Sequence, residues 1–144
     1  MGCLTDFLHQ DHARCDDLYL KAERLAADAD VAAADKAFLA FSEAMAHHFA
    51  MEEQVLFPAF EETTGNTAGP TAVMRHEHEQ MRGLFADMAA ALSAGRADEF
   101  LAVADTLLVL MQQHNAKEER ILYPMSDRVL ADADEVLARM QAIA

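Results

Sequence analysis

The chain has 144 residues, 53% of them hydrophobic, and carries 11 Lys and Arg against 25 Asp and Glu, a formal charge of −14. That length suits one domain spanning residues 1–144, and that apolar fraction is enough to close a core, which excludes a disordered acidic tail. A surface this acidic repels nucleic acid and anionic lipid, both of which bind through clusters of Lys and Arg, so cations are the partners to look for.

Only 5 Gly and 3 Pro interrupt the chain and no alternating strand pattern stands out, so long helices are expected. The first spans 3–28, with an apolar stripe at steps of three and four: Leu8, His12, Cys15, Tyr19, Ala22. Its start lacks the basic residues and apolar run of a secretory signal, and no segment approaches the roughly 20 apolar residues of a membrane span, so a soluble, cytoplasmic protein is expected. Cys3 and Cys15 lie 12 residues apart on this helix, about 18 Å, too far for a disulfide, which agrees with reduced thiols in the cytoplasm.

After Asp28-Ala29-Asp30 a second helix covers 31–62, with the stripe Phe41, Met45, His48, Glu52, Val55. The turn-rich stretch from Thr63 to Pro70 leads to a third over 71–94, with Met74, His78, Met81, Phe85 and Met88 on one face. Ser93-Ala94-Gly95-Arg96 precedes a fourth over 97–125, striped by Leu107, Met111, His114, Glu118 and Ile121. The tail carries Val129, Leu130, Val136, Leu137 and Met140, a short C-terminal helix over about 127–143. Short connections between long helices predict an all-α, antiparallel, up-down-up-down four-helix bundle over about 3–125.

An offset of 66 residues superposes the two halves: His12 on His78, Leu18 on Leu84, His48 on His114, Glu52 on Glu118, Glu53 on Glu119, Leu56 on Leu122 and Pro58 on Pro124. The bundle therefore reads as two duplicated helical hairpins. Six polar residues, His12, His48, Glu52, His78, His114 and Glu118, fall on the apolar stripes. One histidine on an apolar face is ordinarily a satisfied core residue. Four with two glutamates, related in pairs by one repeat, are not independent accidents, because buried carboxylates facing each other need positive charge between them.

His-x-x-x-Glu puts both side chains on one face a turn apart. The second and fourth helices each supply such a pair, and the first and third each add a histidine. A pseudo-twofold axis then gives each of two metals two imidazoles, with both glutamates bridging. Imidazole with carboxylate suits iron first, with manganese or zinc as alternatives, and the lack of a thiolate beside Glu52 and Glu118 argues against a thiolate zinc site. The order of residues also differs from the Glu-x-x-His pattern of ferritin-like bundles.

These residues resemble the hemerythrin-like family, the HHE cation-binding domains. The match rests on Asp11-His12, on the run from His48 through Glu52-Glu53 to Leu56-Phe57-Pro58, on Glu77-His78, and on the run from His114 through Glu118-Glu119 to Leu122-Tyr123-Pro124, and it covers about residues 4 to 125. The resemblance implies a carboxylate-bridged, non-haem di-iron centre that binds or senses dioxygen, nitric oxide or iron, or that turns over peroxide or nitric oxide in oxidative or nitrosative defence. Oxygen-carrying members have a further histidine on the third helix where this chain has Met74. Four histidines with two glutamates look more like the di-iron domain of repair-of-iron-centres proteins, whose cysteine-bearing N-terminal region this chain lacks. Oxygen carriers also take their last carboxylate five residues after the histidine, which leaves Glu119 as a substitute for Glu118. A structural zinc bundle is a third reading.

The other histidines lack the symmetry of the six. His9 aligns with Arg75 and His76 with Gln10, and His47 lies about 100° around the helix from His48. They are expected at the surface or around the ligands. Tyr19 shares the first stripe, but its repeat mate is Phe85, so core packing is expected of it. The stripe methionines fill core gaps rather than bind copper.

Overall fold

The structure, a computed structural model, describes residues 2–144. Four long helices form the bundle: α1 (Cys3–Ala27), α2 (31–64), α3 (Pro70–Ser93) and α4 (97–129), followed by a short α5 (Ala133–Gln141). No strand occurs among the described residues, and no helix there is long and apolar enough to cross a membrane. Both cysteines are free.

The two hairpin turns share one geometry. Ala29 and Gly95, equivalent under the repeat, both take left-handed φ values, 58° and 70°. Each sits just past a helix end closed by paired backbone bonds, Asp30 N–H to Leu25 O with Ala29 N–H to Ala26 O, and Arg96 N–H to Ala91 O with Gly95 N–H to Leu92 O. Such an end favours glycine; alanine holds the conformation in the first hairpin at some steric cost. Asp30 then starts α2 by accepting from Ala33 N–H at 3.2 Å.

Two features depart from the sequence expectation. Within α2 the segment Glu52–Leu56 winds as a π-helix, and within α4 so does Glu118–Leu122, at repeat-equivalent positions. The N–H groups of Phe57 and Tyr123 reach back five residues, to Glu52 O and Glu118 O. This resets the hydrogen-bond ladder just before Pro58 and Pro124, so each proline enters the next α-segment as it would a helix start, where its missing N–H is no loss. As a result α4 runs past the expected end at 125 to Val129, and the terminal helix begins at Ala133 rather than near 127. Leu130, in extended conformation, makes the break.

Ile121 is the second departure. Expected on the core stripe, it is 54% exposed, whereas its repeat mate Val55 is buried. Helix α5 packs mainly against the first π turn.

The core falls into two parts. One, around Phe38, Phe41, Phe49, Met81, Phe100 and Met111, fills the bundle toward the hairpin turns. The other, around Leu4, Leu8, Phe57, Phe60, Leu122 and Tyr123, is closed by Val136 and Met140 of α5. Asp127 ties the second part together by accepting from Leu4 N–H and Thr5 N–H at 3.0 Å each and from the Thr5 hydroxyl at 2.7 Å, which caps α1 from the far end of the chain. Along each stripe the polar residues lie where the two parts meet: His12 between Leu8 and Cys15, His78 between Met74 and Met81.

Candidate metal centre

All six expected residues converge on one point, fully buried or nearly so, with Glu52 and Glu118 both 0% exposed. Their inward atoms form two overlapping groups, Glu52, His78, His114 and Glu118 in one and His12, His48 and Glu118 in the other, the ligand atoms of each group lying within 4.8 Å of one another. Glu118 Oε1 stands 3.1 Å from His12 Nε2 and 3.2 Å from His114 Nε2. Glu52 Oε1 stands 3.1 Å from His78 Nε2 and 3.5 Å from His48 Nε2. Imidazoles pair as the repeat requires, His12 with His48 at 4.6 Å between ring centres and His78 with His114 at 5.0 Å.

Four buried atoms have no hydrogen-bond partner: Glu52 Oε1, Glu118 Oε2, His78 Nε2 and His114 Nε2. Buried polar atoms are nearly always satisfied, so four orphans converging from three helices mark a place that needs a cation.

A second ring of carboxylates surrounds the histidines and follows the same repeat. Asp11 accepts from His48 Nδ1–H at 2.8 Å and its mate Glu77 from His114 Nδ1–H at 2.9 Å. Glu53 accepts from His78 Nδ1–H at 2.7 Å and its mate Glu119 from His12 Nδ1–H at 2.6 Å. An ionised carboxylate can only accept, so each Nδ1 carries a hydrogen and each Nε2 is left to face inward, the arrangement by which carboxylates orient metal-binding histidines. Arg14, Lys117, Arg82 and His9 in turn engage the outer sides of Asp11, Glu77, Glu53 and Glu119.

The outer ring was only partly legible. Its members stand in the runs quoted above, but nothing in the sequence says that Asp11 would serve His48 across the helix pair instead of its neighbour His12. Glu119, held open as an alternative to Glu118, stands on the outer side of His12, while Glu118 points inward. Tyr123 stands in the second of those runs, with no role at the site expected of it. Its hydroxyl lies inside the cluster, donating to Glu52 Oε2 at 2.6 Å.

The remaining residues fall outside. His9 is exposed on Glu119, His76 is exposed, and His47 Nε2–H donates to Ile143 O at 3.1 Å. Tyr19 donates to Ala104 O at 2.9 Å, a core hydrogen bond. Cys15 is buried, and burial pushes its thiol up to about 12, so it stays protonated.

In the metal-free chain protons take the place of cations. Burial opposes charging His48, but Glu52 and the Asp11 hydrogen bond outweigh it and push its pKa up to about 10. Burial likewise opposes charge on His114, and Glu118 pushes it up to about 9. For Glu52 burial resists ionisation, yet His48 and its hydrogen bonds hold the carboxyl well below its usual range. The two histidines titrate above their ordinary value of 6.5, so their contribution to stability is full below that pH and is lost as pH climbs through about 9 to 10. The Glu52 contribution runs the other way, present above pH 4.5 and lost in acid. The denaturation midpoint of metal-free protein is therefore expected to fall steadily from pH 7 to pH 10; a flat profile would contradict the cluster's charge state.

A family model described as hemerythrin HHE cation binding domain matches residues 3–126. Neither the curated proteins nor the solved structures give a match.

Proposed function

The chain belongs to the hemerythrin HHE cation-binding domain family, and we propose that its buried cluster holds two iron ions bridged by carboxylate, at which dioxygen or nitric oxide is bound or sensed. The four orphaned atoms support one ion beside His78 and His114, because they supply two imidazoles and two carboxylates with no other partner, and the second buried group, His12, His48 and Glu118, supports the other ion. The donor chemistry suits iron and argues against a thiolate zinc site. His12, His48 and Glu118 make a two-imidazole, one-carboxylate set, the kind that suits non-haem iron with coordination positions left over, and neither cysteine belongs to a ligand group.

Bound iron would supply reversible electron transfer and open positions for a small ligand. The chain does the rest. Its outer carboxylates hold each imidazole in the binding tautomer, and the two core halves exclude bulk water from the cluster. A surface cleft of about 240 Å³ lined by His9, Asp16, Asn115, Glu119 and His12 gives a small molecule a short approach on the His12 side. Ligand atoms must lose their protons to bind metal, so affinity rises with pH. Two free thiols agree with a cytoplasmic setting.

Metal analysis of purified protein, followed by optical spectra of the reduced form before and after dioxygen, nitric oxide or peroxide, tests this. Two irons with a reversible spectral change support binding or sensing. Sustained loss of peroxide or nitric oxide would instead assign an enzyme of oxidative or nitrosative defence. Two zincs from native cells would overturn both.

A further inference from the structure

Under the repeat, every residue of the cluster has a like partner except Tyr123, whose mate is Phe57. Both follow a π turn. A π turn closes five residues back instead of four, so it brings the residue five past each glutamate under that glutamate, toward the cluster. Phe57 uses this place to pack on the His78 ring, 5.6 Å between centres. Tyr123 uses it to put a phenol oxygen among the ligand atoms, 2.6 Å from Glu52 Oε2, 2.9 Å from Glu118 Oε1, 3.2 Å from His12 Nε2 and 3.3 Å from His48 Nε2.

First-row ions hold nitrogen and oxygen donors at about 2.0–2.2 Å, and donors at right angles around one ion are then about 3 Å apart. The Tyr123 oxygen stands near that spacing from the three residues of one group, 2.9 Å from Glu118 Oε1, 3.2 Å from His12 Nε2 and 3.3 Å from His48 Nε2. The two sides of the cluster also differ in what they lack. All four orphaned atoms belong to the group of His78 and His114, which has four protein donors, while the group of His12 and His48 has three.

We propose that Tyr123 Oη is the fourth protein ligand of the ion at His12 and His48, binding ferric iron as a phenolate. This rests on the di-iron reading above. On binding, the phenol proton that Glu52 now accepts is released to solvent, and no electron is transferred. The two ions would consequently be unlike: the phenolate, a hard anionic donor, would favour the ferric state at one, while on the other side Phe57 takes the equivalent place and the His78 ring packs between Phe49 and Phe57.

The test uses the whole protein, stripped of metal, reloaded with ferrous iron and oxidised with ferricyanide. The chain has only two tyrosines, so the origin of any signal can be assigned. Wild type is expected to show a visible phenolate-to-iron charge-transfer band, with tyrosine ring modes in resonance Raman that shift on ring deuteration. Y19F should keep both, and Y123F, which restores the Phe found at the equivalent position, should lose both. Two bound irons with no tyrosine modes, or an unchanged band in Y123F, would overturn the proposal. Should Y123F not fold, the deuterium shift in Y19F, where Tyr123 is the sole source, decides by its presence or absence. Uptake of fewer than two irons would overturn the di-iron reading itself, and this assignment with it.

Discussion

Replacing Glu118 with alanine is expected to cut bound iron from two per chain to fewer than one. Glu118 is the single residue shared by both ligand groups, its Oε1 within 3.2 Å of an imidazole from each. No nearby side chain takes over inward, because Glu119 is engaged on the outer nitrogen of His12 and with His9. Metal stabilises only the folded state, by about 2.7 kcal/mol per site at a free concentration of 100 Kd, so a chelator should lower the melting temperature of wild type and leave that of Glu118→Ala almost unmoved. Metal analysis on the purified variant checks the first part. Two irons per chain in Glu118→Ala would put the shared carboxylate elsewhere, with Glu119 the first candidate.

Truncating one outer carboxylate should weaken metal binding by about 10- to 100-fold without abolishing it. Glu77→Ala and Asp11→Ala are equivalent under the repeat, and each frees one histidine, His114 or His48, to turn or to change tautomer. The two should show similar losses in a competition titration against a chelator of known affinity. His76→Ala, one residue from Glu77 but exposed, should change little. Equal affinities in Glu77→Ala and wild type would mean that the second ring serves the fold alone.

Much of this was legible in the sequence because the signal was periodic. The stripe spacing predicted four helices whose ends lie close to the observed ones, except at the end of α4, and the 66-residue repeat singled out six residues that the structure brings together. What was missed is aperiodic or crosses between helices. A π turn leaves no mark on a stripe read at 3.6 residues per turn, and it is the π turn that carries α4 past Pro124 and brings Tyr123 inward. The pairing of Asp11 with His48 depends on how α1 and α2 rotate against each other, which no single helix encodes. Ile121 continues the stripe three residues past Glu118 and so reads as core, but it is exposed, whereas Val55 lies on the π turn against which α5 mainly packs. Tyr123 stood in the quoted run, and its mismatch with Phe57 was the available clue.

The most direct test of the central claim is anomalous X-ray diffraction at the iron edge from crystals of the iron-loaded protein. Two peaks per chain are predicted, one beside the Nε2 atoms of His12 and His48 and one beside those of His78 and His114, with Glu118 touching both. A single peak, or peaks on surface carboxylates away from these histidines, would contradict it.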